Sequence, residues 1–547
     1  MKYAALLLFP WVLPAQNASF SLSTANILVG AEAGNASVQL IASPPNATWT
    51  AASNASWLHL GPSNTSGTGS ALVQFSYDAN TNFAAQTGTL TIAGQTCTVT
   101  QAGSSFVPLN ITTTFISQGL NLPYAVALDS NSNLYIADTG NNAILKWVAS
   151  TQQMTTLVSA GLNAPHGVAV DGQGNVYIAD ASNNAVEEWI AATQQLTTLV
   201  SSGLNFPVAV TVDGQGNVYI ADFGNNAIKQ WNPASGQVIT LVGSGLSSPT
   251  GVGVDGLGNV YIADFRHNAI KQWNPITQQV TNLVSQGLSF PNSVALDGQG
   301  NVYLVDGNNN ALKEWNAASQ VVSTLASSGV NGSFGVASDG QGNIYLANTS
   351  TSTVLKVASA YLALPTNLNE GPQAGTDSVP VQVLGASIPL TATSDQTWLT
   401  ITNTAGGAIG FAFLANTSLA SQTAHITVLG QQVTITQSGD VPSSISKTAG
   451  DGQSIGKGQT FVAPLQVTVT DANSIPLPGV AVTFTVTPGA SGASGTFSPN
   501  PPMPILTNSS GIATAPALTA NGIGGTFTVT ASTATVTAIF NETVRSN

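Results

Sequence analysis

At 547 residues the chain is long enough for several domains, because a single core stops growing well short of that length. Charged residues make up only 6% and hydrophobic residues 43%, which excludes a solvated disordered chain and leaves folded domains rich in turn-forming residues. The formal net charge is −13 and the ten Lys and Arg are scattered, which excludes the clustered cations that nucleic acid or an anionic membrane would require.

The N-terminus reads as an export signal over residues 1–15: Lys2 is the basic start, Ala4 to Val12 the apolar stretch, and Leu13-Pro14-Ala15 the cleavage site. The apolar run is too short to span a bilayer, and no later stretch is apolar enough, so no transmembrane segment is expected after signal removal. A single cysteine, Cys97, rules out intramolecular disulfides. Together these place the protein outside the cytoplasm of a bacterium, secreted or in the cell envelope. Residues 18–104 then carry short β-type patches, Trp57-Leu58, Val73 to Tyr77, Gly88 to Ile92 and Thr98 to Gln101, which predict a β-sandwich.

Residues 105–360 are a repeat array. Proline recurs at Pro123, Pro165, Pro207, Pro249 and Pro291, and tryptophan at Trp147, Trp189, Trp231, Trp273 and Trp315, always 42 residues apart. A period in the forties with several strands per unit is that of a propeller blade. Each unit reads as an inner strand (Val208 to Val212), an Asp-Gly-Gln-Gly-Asn turn, a second strand (Val218 to Ala221), a loop, a third strand ending at the Trp, and an outer strand (Val238 to Val242). The sixth unit has no outer strand after Val357, whereas an unpaired one, residues 111–117, precedes the first unit. That segment is expected to complete the last blade and close a six-bladed ring without open edges. The pattern Pro-x-Gly/Ala-Val-Ala-Val-Asp, Gly-Asn-Val-Tyr-Ile-Ala-Asp, Asn-Asn-Ala-Ile resembles NHL repeats. That resemblance implies a propeller presenting a ligand on one face, and a related lyase group with metal-bound His. The basic residue usual after Asn-x in NHL repeats is Ala here (Ala143, Ala185, Ala227, Ala269, Ala311), which weakens the RNA-binding precedent.

Residues 361–438 repeat the arrangement of 18–104 with Trp398-Leu399, Phe411-Ala412-Phe413, Asn416-Thr417 and Thr434 to Gln437. Both segments resemble BACON modules, which implies a spacer or a carbohydrate contact. Residues 440–547, with Leu465 to Asp471, Ile475 to Phe484 and Gly525 to Ala531, resemble the bacterial Ig-like domain of the invasin and intimin type, a stalk unit. The expected fold class is thus all-β, a six-bladed β-propeller with β-sandwich domains on either side.

Two aspartate series mark the repeat: Asp129, Asp171, Asp213, Asp255, Asp297 and Asp339, and Asp138, Asp180, Asp222, Asp264 and Asp306, completed by Asn348. Sixfold repetition favours carboxylates that accept N–H bonds within their own turns over a ring of metal ligands. The Trp series reads as packing between blades, and Cys97, which aligns with Val433, as a buried structural thiol. Informative positions are those where the repeat breaks. Loops entering the inner strand carry Tyr124, His166, Phe206, Phe290 and Phe334, and loops leaving the second strand carry Phe223, Phe265, Arg266 and His267. These loops are expected to open on one face, as a shallow aromatic and polar surface for a glycan or a protein segment. His59 and His425 lie outside the propeller; His166 and His267 lack a clear third ligand, so no catalytic residue, metal or cofactor is expected. The expected function is that of an exported binding or adhesion-type protein; the alternatives are a metal-dependent lyase-like propeller and a purely structural surface component.

Overall fold

The computed structural model of the chain describes residues 18–499 and 503–546, so the export-signal reading lies outside the described residues. They form two compact units. One runs to Ala363 and includes Val383–Ile388; the other holds Leu364–Gln382 and the chain from Pro389 onward.

The first unit contains the propeller. In each repeat the Asp that ends the inner strand folds the next hairpin. Asp171 Oδ1 accepts the N–H groups of Gln173 and Asn175 at 2.9 and 2.8 Å, and Oδ2 accepts Asn175 Nδ2 and the Tyr177 hydroxyl. Gly174, at φ +86°, supplies the left-handed residue that the turn needs. Five repeats build four-stranded antiparallel sheets in this way, the second from Pro165–Val170, Val176–Asp180, Ala185–Ile190 and Gln195–Val200. In the sixth, Ser333–Ser338, Asn343–Asn348 and Thr353–Ala363 are completed by Phe106–Ile116 from the start of the array. Inner strands of successive sheets touch in order, and Ser333–Ser338 returns to Pro123–Leu128, so six blades form a closed β-propeller.

The closing segment differs in extent from the expected residues 111–117. It starts at Phe106, because the strand opposite does not stop at Val357 but continues to Ala363, where Phe106 pairs with it. Residues 361–363, where the second BACON-like module begins in sequence, pair with residues 106–108 in the sheet of the last blade.

The blade seams are apolar. Trp189 packs on the cluster of Tyr135, Ile144, Val168 and Ile178 between the first two blades, and Trp231, Trp273, Trp315 and Trp147 repeat this at later seams. The inner strands enclose an axial cavity of about 240 Å³ walled by Val126, Val168, Val210, Val252, Val294 and Val336, with Thr211 and Ser338 the only polar side chains on its wall.

The first sandwich belongs to the same unit and is fixed to the turn end of the propeller. Its sheets are Ser19–Leu22, Gly34–Ser43, Ala71–Tyr77 and Leu58–Leu60 facing Asn26–Val29, Gln95–Gln101, Gln86–Ile92, Thr48–Ser53 and Ser66–Thr68. Gln39 Oε1 accepts the Gly256 N–H at 3.1 Å, the Gln39 N–H donates to the Gly298 carbonyl at 3.2 Å, and Ser37 Oγ donates to the Gln299 carbonyl at 2.6 Å. The turns of the fourth and fifth blades thus receive this module directly. Cys97 is fully buried opposite Leu90, and burial pushes its thiol up to about 11.

In the second unit, residues 367–382 and 389–437 form a second sandwich with the same buried amide arrangement as the first. Asn80 Nδ2 donates to the Ala84 and Ala102 carbonyls, and Asn416 Nδ2 to those of Ala420 and Ser438. The C-terminal sandwich packs Phe461, Phe484, Phe497, Phe527 and Phe540 into one core. At its edge Glu542 is fully buried: Oε2 accepts the Gln453 N–H, while Oε1 has no partner. Burial raises its carboxyl from 4.5 to about 7. The folded state therefore holds this proton where the unfolded chain has released it, so stability falls as pH rises across that interval. Glu542→Gln is expected to flatten the pH dependence of this sandwich's melting and to stabilise it by ~1 kcal/mol at mildly alkaline pH. Calorimetric scans from acid to mildly alkaline pH read the effect, and an unchanged slope refutes it.

Candidate functional site

The second aspartate series bonds a side chain of its own turn and a backbone N–H of a second loop, where the sequence predicts backbone N–H bonds within its own turn. Asp222 is fully buried after Val218–Asp222; its Oδ1 accepts the Asn205 N–H, 17 residues earlier, at 2.7 Å. Its Oδ2 accepts Asn225 Nδ2 at 2.8 Å and sits 2.9 Å from Lys229 Nζ. Asp138, Asp180, Asp264 and Asp306 bind Asn121, Asn163, Ser247 and Ser289 in the same way. Buried carboxylates persist only with such partners. Each thus anchors the loop entering its blade beside the loop leaving the second strand, and both open at the same end of the ring.

A second tie joins neighbouring blades. Asn184, left-handed at φ 52°, closes the short helical turn Ala181–Asn183 and accepts the Phe206 N–H of the next blade on Oδ1 at 2.7 Å. Asn142, Asn226 and Asn268 do the same for Ala164, Ser248 and Phe290. These bonds fix Ala164, Phe206, Ser248 and Phe290 at positive φ immediately before their prolines, while Leu122, at φ 50°, donates its N–H to Ser352 Oγ. A non-glycine residue there is strained, and the bond to Asn offsets the strain.

On this frame the sequence-predicted aromatics come together in two groups. Phe334 lies 4.6 Å from Tyr124, which stacks on His166 at 4.2 Å with planes 3° apart. His166 meets Phe206 edge-on at 5.2 Å, and Phe206 meets Phe223 at 6.2 Å. This arc crosses the sixth, first, second and third blades. Phe265 and Phe290 form a separate pair, 4.7 Å apart, from the fourth and fifth. All seven side chains are half-buried, whereas Arg266 and His267 are exposed.

His166 is sandwiched between rings, its Nδ1 is buried without a partner, and burial lowers its pKa from 6.5 to about 4. It is neutral at ordinary pH. His267 Nδ1 bonds Asp264 Oδ2 at 2.7 Å. The two histidines therefore serve different neighbours, and among the described residues no three His, Cys, Asp or Glu side chains converge as metal ligands. His59 and His425 pair with Asp78 and Asp395 on the sandwiches.

Sequence reasoning found the aromatics but missed the ties that hold them. The signal was present: Asn142, Asn184, Asn226 and Asn268 recur with the period of the aspartates.

The profile of the viral BACON domain matches residues 19–105 and 361–444, and that of the NHL repeat matches residues 162–187 and 204–231. The chain thus carries NHL repeats and two BACON-type modules. No curated protein matches it. Among solved structures, a protein of unknown function from Bacteroides thetaiotaomicron shares 15% identity, covering 63% of this chain and 99% of that one, with a TM-score of 0.43. An auxiliary nutrient binding protein from Bacteroides ovatus shares 12% identity over 63% and 99%, with a TM-score of 0.40. A gluconolactonase from Xanthomonas campestris shares 14% identity over 45% and 89%, again with a TM-score of 0.40.

Proposed function

We propose that this is an exported modular binding protein of a bacterial surface or envelope, whose propeller holds a protein or glycan ligand on the loop face. One observation carries the reading: five rings from four blades, Phe334, Tyr124, His166, Phe206 and Phe223, lie in continuous contact on that face. Half-buried aromatics held by a rigid frame offer contact area at little cost in side-chain entropy, as recognition surfaces require. The aliphatic axial wall supplies no titratable group, so the loops are the chemically active part of the ring. The second BACON-type module and an Ig-like C-terminal sandwich act as spacers or auxiliary contacts.

The test is to screen the intact chain on a glycan array and a peptide library. The repeat itself supplies safe variants, because blade two carries Ala164 at the left-handed position of Phe206, and Ala181 at the position of Phe223. Phe206→Ala and Phe223→Ala should therefore fold and each weaken a hit about thirtyfold, the weight of a central aromatic. Hits indifferent to both variants, or silence in both screens, would sink the loop-face reading and leave a structural role.

A further inference from the structure

The opposite end of the ring holds a different kind of cavity. Between the hairpin turns of the first and second blades lies a cleft of about 280 Å³. Trp189, half-buried, gives it aromatic surface, the buried Tyr135 lies beneath, and Asp129, Asp171, Asn131 and Lys146 contribute most of its polar groups. Such a volume is at the small end for ligand sites and fits one ring of a small molecule.

Two features set this cleft apart. In the first blade the turn reads Asp129-Ser130-Asn131-Ser132-Asn133, where the second, third, fifth and sixth blades have Asp-Gly-Gln-Gly-Asn. Ser132 takes φ 60°, a place filled in the other five blades by Gly174, Gly216, Gly258, Gly300 and Gly342. A serine there is strained, so this turn exchanges backbone ease for polar side chains beside the cavity. The second feature is Lys146. At its place the second and fourth blades carry Glu188 and Gln272, with Gln272 Nε2 donating to the Tyr261 hydroxyl at 3.0 Å, and only the sixth has another lysine, Lys356, 5.9 Å from the Tyr345 ring. Lys146 instead stands 4.9 Å above the Tyr135 ring and 4.0 Å from Asp129, outside hydrogen-bond reach of that carboxylate. The turns of the fourth and fifth blades are covered by the first sandwich, whereas a Cβ on Gly172, in the cleft, would meet nothing within 4 Å.

We infer that this cleft binds a single neutral polyhydroxylated ring, a sugar unit, independently of the loop face. The charges of its lining select that class. An anion would face Asp129 and Asp171, and a cation would compete with Lys146. A neutral ring avoids both conflicts: its hydroxyls accept from Lys146 Nζ and the Asn131 amide, while its C–H surface packs on the Trp189 indole. Burial works against ionised Asp129, but hydrogen bonds from Asn133, Tyr135 and Asn131 hold its carboxyl below the ordinary value, so it keeps the charge that repels an anion.

The test titrates glucose, galactose, mannose and N-acetylglucosamine into the intact protein, followed by tryptophan fluorescence and saturation-transfer NMR. At least one sugar should bind saturably, and Lys146→Met and Asn131→Ala should each weaken it about tenfold, the loss of one hydrogen bond to a charged or amide donor. Phe206→Ala should leave that affinity unchanged, which separates this cleft from the loop-face site. The inference is overturned if none of the four sugars saturates, if both cleft variants bind like the parent, or if Phe206→Ala abolishes the sugar signal.

Discussion

Asp222→Ala is expected to destabilise the third blade by about 3–5 kcal/mol, the usual cost of stranding a buried charge partner. The side chain is fully buried and takes the Asn205 N–H, Asn225 Nδ2 and Lys229 Nζ. Its removal leaves the Asn205 N–H without an acceptor, and the Asn225 amide and the Lys229 ammonium sharing only the Gly203 carbonyl. Lys229→Leu is the contrasting variant. The first blade has Leu145 at that position, beside an Asp138 that keeps its bonds to Asn121 and Asn141 without any cation. Lys229→Leu should therefore cost no more than about 1 kcal/mol. In a chain of several domains one unfolding free energy is ill-defined, so the readout is hydrogen exchange at the Asn205 and Phe206 amides. Exchange accelerated equally by both variants would show that the lysine, not the carboxylate, holds the loop. Because Phe206 follows Asn205, the same lesion should release one ring of the aromatic arc.

The contrast between these two variants also shows what a sequence can and cannot reveal in a repeat protein. The 42-residue period fixes strand order, turn chemistry and the inward Trp, because each depends on contacts within one unit or with the next. It also exposed Phe206, Phe223 and Phe334 as departures from the pattern. What it could not fix was a contact reaching across many units. The docking of Gln39 and Ser37 on the turns of the fourth and fifth blades joins residues more than two hundred positions apart. No periodicity announces it, since those turns are nearly identical in sequence to uncovered ones. The extent of the closing strand was hidden likewise: Phe106 to Asn110 lack the Thr-rich signature of an outer strand and are held by pairing with Ser359 to Ala363. The aspartates gave a half-right reading. A carboxylate after an inner strand and one after a second strand look alike in sequence, but only the first takes the backbone N–H groups of its own turn, while the second takes one from another loop.

Gly335→Ala is the second substitution with a large expected effect, and it ties the ring's closure to its loop face. Around the ring, the residue two after each proline position reads Ala125, Gly167, Ala209, Gly251, Ser293 and Gly335. Glycine thus alternates with a small side chain. A Cβ on Gly167 or Gly251 would lie 2.8 Å from the Cα of Ala209 or Ser293, and on Gly335 it would lie 2.6 Å from both Ala125 Cα and the Tyr124 carbonyl oxygen. The obstacle is the backbone of the next blade, which no rotamer change relieves, so the seam must open. The expected cost is about 1–3 kcal/mol for each glycine, with Gly335→Ala at the upper end because its seam joins the last blade to the first. Gly172→Ala, on a turn with nothing within 4 Å, should stay within about 0.5 kcal/mol and serves as the control. The glycines also stand one residue after His166 and Phe334, and Ala125 one after Tyr124. Spreading the last seam should therefore part Phe334 from Tyr124, now 4.6 Å apart, and weaken loop-face binding together with stability. Melting and ligand affinity measured on the same Gly335→Ala preparation decide the matter. A fall in melting temperature with affinity intact would mean that the aromatic arc is held by the Asp and Asn ties alone, while an unchanged melt would show that the seam yields without cost.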